Sequence, residues 1–353
     1  LDKYTEALDC YSKSINKNEN DYRPWHNKGY LLAKLGEHEK ALSNYQRALE
    51  INPNHSEGWH NFGNSYQKLE KYNEALKCYN ESLKINTGND VLLSNKGLAL
   101  KNLNRYDEAL ESFNKALKIN NKNPYTLYNL GFTLEQKGNY TEAIKYINKS
   151  LKINPFFPEA LNIKGTIYSD LEDYDKALDC YNKATILTPN DPGLISNKGN
   201  IFAKLGNYSE AIKYFKQTLE INTKFATGYF NLGATYIQMR KYKKASQQFI
   251  KAKGIFKIEG NEEAFKKTEK YENWSNNTLF ILTKLEPLDD SFINSLKSTN
   301  LFDLRKQSEV ISDGMKFLET NFKDLIIPDE TKELLIAKTI CFGLLKQILI
   351  FKP

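Results

Sequence analysis

Seven glycines stand 34 residues apart without a gap: Gly29, Gly63, Gly97, Gly131, Gly165, Gly199 and Gly233. Twelve residues after each comes an alanine, from Ala41 to Ala245, and Ala7 carries that column one step upstream. Four residues beyond the alanine the chain places a large side chain: Tyr45, Tyr79, Phe113, Ile147, Tyr181, Phe215 and Phe249. Three further on comes a small one, and aromatics such as Tyr72 and Tyr140 precede the alanines by three. A strict period of this length marks a repeat array, in which one short supersecondary unit recurs and each copy rests on its neighbours.

Each unit reads as two short helices. Apolar residues recur at helical spacing in the first, as at Trp59, Phe62 and Tyr66. A turn falls at Gly36, Gly138 and Gly206, or at Asn104, and the second helix carries runs such as Tyr140–Asn154. Two helices joined by so tight a turn must cross closely. The small pair at Gly131 and Ala143 leaves room for that crossing, and a large residue at Gly131 would overpack it at about 1–3 kcal/mol. One hairpin cannot bury its apolar stripe alone, so the core arises by stacking. Most of the 22 tyrosines are accounted for as packing residues between helices.

Over residues 1–257 this pattern closely resembles the tetratricopeptide repeat (TPR) family, as one half repeat plus seven full repeats. Proline closes some units, at Pro53, Pro155 and Pro189, and is replaced at Thr87, Asn121 and Thr223. The resemblance implies an all-α, right-handed α-solenoid of helix-turn-helix repeats. It also implies a protein-interaction scaffold, with an extended peptide or partner helix lying in a concave groove lined by the first helices. After residue 257 the columns fail, with Lys267 and Leu279 where glycine and alanine would fall. Residues 258–353 are therefore expected to form a helical capping region. Its helices are placed around Asn261–Glu272, Asp290–Ser298 and Leu304–Phe322 and after Pro328, with Trp274–Leu285 covering the last repeat. The apolar stretch Leu334–Phe351 is interrupted by Lys338 and Lys346 and reads as a buried or partner-seeking helix rather than a membrane span.

With the glycine as the eighth place of the unit, the sixth place lies about 200° away around the first helix. Asparagine holds it at Asn27, Asn61, Asn95, Asn129, Asn197 and Asn231, and Ile163 interrupts the column. A carboxamide both donates and accepts, so it can pair with a peptide group of any sequence. Stacked units advance about 10 Å and an extended peptide about 3.3 Å per residue, so one asparagine would meet roughly every third peptide unit. The candidate peptide-binding set is this column with His60, Asn64, Tyr128, Phe132, Asn200 and Phe230. A structural or inherited role for the asparagines stands beside that reading, and Ile163 would divide the groove into two stretches. No lysine occupies a fifth place and no arginine a sixth, which disfavours the clamp by which some TPR domains grip a chaperone's carboxylate tail.

Little else carries chemistry. A net charge of +7 on 353 residues is mild and gives no reason to expect a nucleic-acid partner. The basic run from Arg240 to Lys253 reads as a solvated face. Cys10, Cys78, Cys180 and Cys341 are scattered, which fits a reducing, cytoplasmic setting. His26 and His60 share a column, but nothing completes a tetrahedral metal set around them. No phosphate loop, nucleophile elbow or HExxH occurs, so no catalytic residue, metal or cofactor is expected. The chain begins in mid-repeat at Leu1 without a visible signal peptide and reads as a fragment or a trimmed chain. The leading expectation is a non-enzymatic interaction scaffold. Its rivals are the recognition arm of a larger enzyme, such as a protein O-glycosyltransferase whose catalytic part is absent, and a structural assembly spacer.

Overall fold

The computed structural model describes residues 2–285, which form sixteen helices and, among the described residues, no strand. Seven helix pairs match the seven full repeats. Their first helices are α2 (Tyr22–Lys34), α4 (Ser56–Lys68), α6 (Asp90–Asn102), α8 (Pro124–Gln136), α10 (Pro158–Asp170), α12 (Pro192–Lys204) and α14 (Ala226–Gln238). The second helices are α3 (His38–Ile51), α5 (Tyr72–Ile85), α7 (Tyr106–Ile119), α9 (Tyr140–Ile153), α11 (Tyr174–Leu187), α13 (Tyr208–Ile221) and α15 (Tyr242–Ile258). Helix α1 (Asp2–Lys17) precedes them and α16 (Glu262–Leu285) follows. The chain divides into two compact units, Leu1–Asn197 and Lys198–Pro353, with the division inside α12.

Local chemistry sets the helix ends. Asn123 caps α8 by accepting from the amides of Tyr125 and Thr126, with Pro124 supplying the first helical turn. Asn89 and Asn139 cap α6 and α9 in the same way. After the second helices, Asn52, Asn86, Asn120, Asn154 and Asn222 each accept from the amide two residues on and close an Asx turn. Much of the chain's asparagine is thus spent on turns.

The turn inside each pair takes one residue into the left-handed region. Gly36, Gly138 and Gly206 do this at φ of +84°, +75° and +75°, and Asn104 at +59°. The equivalent positions in the other repeats are Glu70, Glu172 and Arg240, where a Cβ makes the same conformation costly.

The crossing within each pair is close because the eighth-place glycine makes room for a ring. A Cβ built on Gly97 would lie 2.6 Å from Cε1 of Phe113, which is fully buried. On Gly131 it would lie 2.8 Å from Cδ1 of Ile147 and 3.1 Å from the carbonyl oxygen of Ala143. The glycine's space is therefore filled chiefly by the large side chain four residues past the alanine, and backbone proximity is the smaller part. The alanines themselves, Ala41 to Ala245, have no exposed surface. Between repeats of the first unit, Ala75, Leu76, Tyr79, Leu92, Leu100, Phe113 and Leu130 form one continuous apolar cluster. This burial is what couples one repeat to the next.

In the second unit, Phe215, Leu232, Tyr236 and Phe249 form the equivalent cluster, and Tyr271 of α16 packs onto it. Ala264 and Phe265 pack against Ala226, Ala252 and Phe256, and Lys253 pairs with Glu272 at 2.5 Å. The side chains described as covering the last repeat thus come from the first half of α16, ahead of Trp274. Of Trp274–Leu285, only Ser275, which is buried, and Asn276, which is exposed, have described side chains. The segments expected to be helical at 290–298, 304–322 and after Pro328, and the apolar stretch Leu334–Phe351, lie outside the described residues. Among the described residues no helix is long and apolar enough to cross a membrane.

Two substitutions check this account by thermal denaturation followed by circular dichroism. Gly97→Ala drives a methyl into the Phe113 ring and should destabilise by about 1–3 kcal/mol. Glu172→Gly relieves the left-handed strain and should raise the melting temperature, with a gain of up to about 1 kcal/mol.

Candidate functional site

In the first unit the first helices of successive pairs also touch one another, α2 with α4, α4 with α6, α6 with α8 and α8 with α10. Among the described residues of the first unit, no two second helices approach each other to the same extent. In the first unit the first helices therefore occupy the inner side of the stack, and the sixth-place residues from Asn27 to Asn197 lie on them.

The column is not a row of free amides. Nδ2 of Asn61 lies 3.2 Å from Nε2 of His26, the fifth-place residue of the preceding repeat. Nδ2 of Asn95 lies 2.9 Å from Nε2 of His60 and 3.0 Å from Oδ1 of Asn64. Asn197 donates to Oδ1 of Asn162 at 2.9 Å. In each case the sixth-place amide donates across the repeat boundary to a residue 35 positions earlier, which fixes the orientation of its carboxamide. Among the described residues nothing donates to Oδ1 of Asn61, Asn95 or Asn197, so the acceptor half of each rung is left over. Asn27 is exposed, with Oδ1 3.4 Å from Nδ1 of His26. Asn129 is half-buried with no cross-repeat amide bond among the described residues, and Ser94, its counterpart in the preceding repeat, accepts from Thr126.

His26 is buried and His60 half-buried at the repeat boundaries. His26 is 8% exposed and stands edge-on to His55, with ring centroids 4.6 Å apart. His60 is half-buried against Tyr79, whose hydroxyl sits within 2.9 Å of Asn64 Oδ1 and 2.8 Å of Gln67 Oε1. Because Nε2 of His26 and of His60 accepts from an asparagine, each neutral ring carries its proton on Nδ1. Burial lowers the pKa of both, with the charge of Glu57 opposing the shift; His55 is lowered by burial and then by His26.

At the next boundary the chemistry changes. Ile163, which interrupts the asparagine column, and Tyr128 of the preceding repeat both pack against Ile147, Phe157 and Ala160. The Tyr128 ring lies 5.0 Å from Phe157 and 6.1 Å from Phe132, and Tyr125, 61% exposed, lies 5.2 Å from Phe157. Lys101 sits 4.4 Å over the Phe132 ring. Burial pushes the Tyr128 hydroxyl up to about 12, with Glu159 and Glu135 adding to the effect.

Asn200, Phe230 and Asn231 belong to the second unit and are half-buried. Phe230 is engaged by Phe249 at 5.5 Å and Tyr271 at 5.3 Å, with Lys267 5.4 Å above its ring. It is therefore part of the joint between α14, α15 and α16. No group of three or more potential metal ligands occurs among the described residues.

Tetratricopeptide repeat models match residues 22–87, 97–138, 124–157, 163–228 and 226–257. The chain belongs to the tetratricopeptide repeat family. Its TPR fold is similar to that of a tetratricopeptide repeat protein from Parabacteroides merdae, at 22% identity and a TM-score of 0.60, covering 70% of this chain and 99% of that one. It is also similar to the Cut9–Hcn1 hetero-tetramer of APC/C, at 18% identity, a TM-score of 0.58 and 75% coverage of this chain. Yeast Tom70 matches at 17% identity and a TM-score of 0.56 over 84% of this chain. The match spans 52% of the Cut9–Hcn1 chain and 63% of Tom70. No curated protein matches the chain.

The neutral histidines give this TPR stack a pH dependence. Their folded pKa values lie below the unfolded value of about 6.5, so their contribution is complete above that pH. It is lost as pH falls, because the unfolded chain takes up protons that the folded one refuses. The melting temperature should therefore decline below about pH 6.5. A His26→Gln/His60→Gln variant, which cannot titrate there, should show a shallower decline over the same range.

Proposed function

We infer that this tetratricopeptide repeat array is a scaffold for protein–protein interaction. We propose that in this chain the inner face of the first unit binds an extended peptide segment of a partner protein, with the sixth-place asparagines meeting its backbone. The observation that carries this reading is the set of cross-repeat amide bonds at Asn61, Asn95 and Asn197, which hold each carboxamide by its donor and leave its oxygen unclaimed. A peptide N–H approaching such an oxygen meets an acceptor that is already oriented, so little rotamer entropy is lost on binding. At roughly 1 kcal/mol net per hydrogen bond the rungs supply modest affinity. The aromatic rings of Tyr125, Tyr128 and Phe132 add apolar anchorage between the polar stretches on either side.

Asn129 separates binding from architecture, since its amide makes no bond to the neighbouring repeat. Twelve-residue peptides selected by phage display on the intact protein supply the probes, and fluorescence anisotropy supplies the affinities. An Asn61→Ala/Asn95→Ala/Asn129→Ala variant should lose at least about tenfold in affinity. Asn129→Ala alone should weaken binding with no change in melting temperature, whereas Asn95→Ala should lower both. Selected peptides that bind the folded triple variant undiminished would overturn the proposal.

A further inference from the structure

The seventh place of the repeat is lysine at Lys28, Lys96, Lys164 and Lys198. Three of these ammonium groups have a partner. Lys28 donates to Oγ of Ser12 at 3.0 Å, Lys164 lies 5.9 Å from the Tyr168 ring and Lys198 lies 4.9 Å from the Tyr214 ring. Lys96 has no hydrogen bond, ion pair or ring contact among the described residues. It is half-buried and lines a cleft of about 270 Å³ between the second helices α5 and α7, with α6 as its floor. No sixth-place asparagine lines this cleft, which faces away from the inner side of the stack. Leu83, Leu93 and Leu100 give it apolar walls. Ser112 lines it too, is only 4% exposed and has no hydrogen-bond partner among the described residues. The two carboxylates at the rim are already engaged. Arg105 donates to both oxygens of Glu108, at 2.7 and 2.6 Å, and Lys115 pairs with Glu111 at 2.7 Å. Burial and then Lys115 lower the pKa of Lys96, against the opposing pull of Glu111 and Glu108.

We propose that the cleft over Lys96 binds a glutamate side chain of a partner protein. A buried ammonium without a counter-ion and a buried hydroxyl without a partner are the two groups a carboxylate satisfies together. The methylenes of a glutamate would lie on the three leucines, and aspartate is one methylene shorter. A basic side chain would face Lys96 and Lys115, while both rim carboxylates are taken. The rim residues Thr87, Glu108, Glu111 and Lys115 are exposed, so an occupant stays partly outside the cleft. That suits a side chain carried by a larger partner better than a free metabolite, whose sites enclose most of the ligand. The site lies on the outer side of the first unit and stands independently of the peptide-binding reading of the inner face.

Acetylated, amidated pentapeptides with Glu, Asp or Gln at the centre of four alanines test the assignment. They are titrated into the intact, ¹⁵N-labelled chain at low salt, with amide shifts read by NMR. The Glu peptide should give saturable shifts at Leu93, Lys96, Leu100 and Ser112. The Gln and Asp peptides should bind at least about fivefold more weakly, the size of a partly exposed ion pair. Lys96→Met keeps the aliphatic stem and removes the charge. It should abolish the preference for Glu while leaving the melting temperature unchanged or higher, because no ion pair is lost. Equal binding of the Glu and Gln peptides, a preference that survives Lys96→Met, or shifts confined to the inner face would each overturn the proposal. So would the absence of saturable shifts with every peptide. Glutarate binding as tightly as the Glu peptide would make the cleft a metabolite site and remove the partner side chain.

Discussion

The structure depends on one steric constraint repeated seven times, the close crossing of two helices over a residue that has no side chain. At Gly97 the ring of Phe113 occupies the volume that any Cβ would claim, and the neighbouring alanine column is sealed from solvent. Once that crossing is set, each pair presents the same apolar stripe, and the only place to bury it is against the next pair. The inner face exists because of this. Tight pairing within a repeat, together with first-helix contact between repeats of the first unit, brings the fifth, sixth and ninth places of neighbours within hydrogen-bonding distance.

That proximity gives the sixth place two demands to satisfy. It must meet the fifth-place residue of the preceding repeat, and whatever remains of it faces outward. Asparagine meets both, since its amide donates to His26, His60 or Asn162 in the preceding repeat while its oxygen stays unengaged. The structural and the ligand-binding readings of the column thus describe two ends of one side chain. A buried histidine acceptor ties this arrangement to pH, because a protonated imidazole has no lone pair to offer.

The period, the helix pairs and the small-residue columns were legible in the sequence, since each is a strict function of position within the 34-residue unit. The pairing across repeats was harder to read. It runs at a spacing of 35, from the fifth place of one repeat to the sixth place of the next, so no single column displays it, and nothing in the sequence marks His26 as nearly enclosed. The left-handed turn position was legible where glycine or asparagine stands and hidden at Glu70, Glu172 and Arg240, exposed residues that take the same conformation despite their Cβ. Phe230 sits in a groove position by its place in the repeat, yet α16 departs from the repeat pattern and brings Tyr271 against it.

Ile163 is where these threads meet. As a gap in an asparagine column it looks like a lapse, a rung lost from a ladder. Its counterpart in the preceding repeat is Tyr128, whose ring packs with it against Phe157 and Ile147. An asparagine there would exchange apolar packing against Ile147, Phe157 and Ala160 for a polar amide. The polar pair of the other boundaries has been exchanged for an apolar pair, both members changing together. The exchange gives the middle of the inner face an aromatic surface, between the oriented amides of Asn61 and Asn95 on one side and Asn197 on the other. A peptide lying along it would meet backbone acceptors at its ends and aromatic rings at its centre. That is the arrangement by which a scaffold built for any sequence can acquire a preference for one.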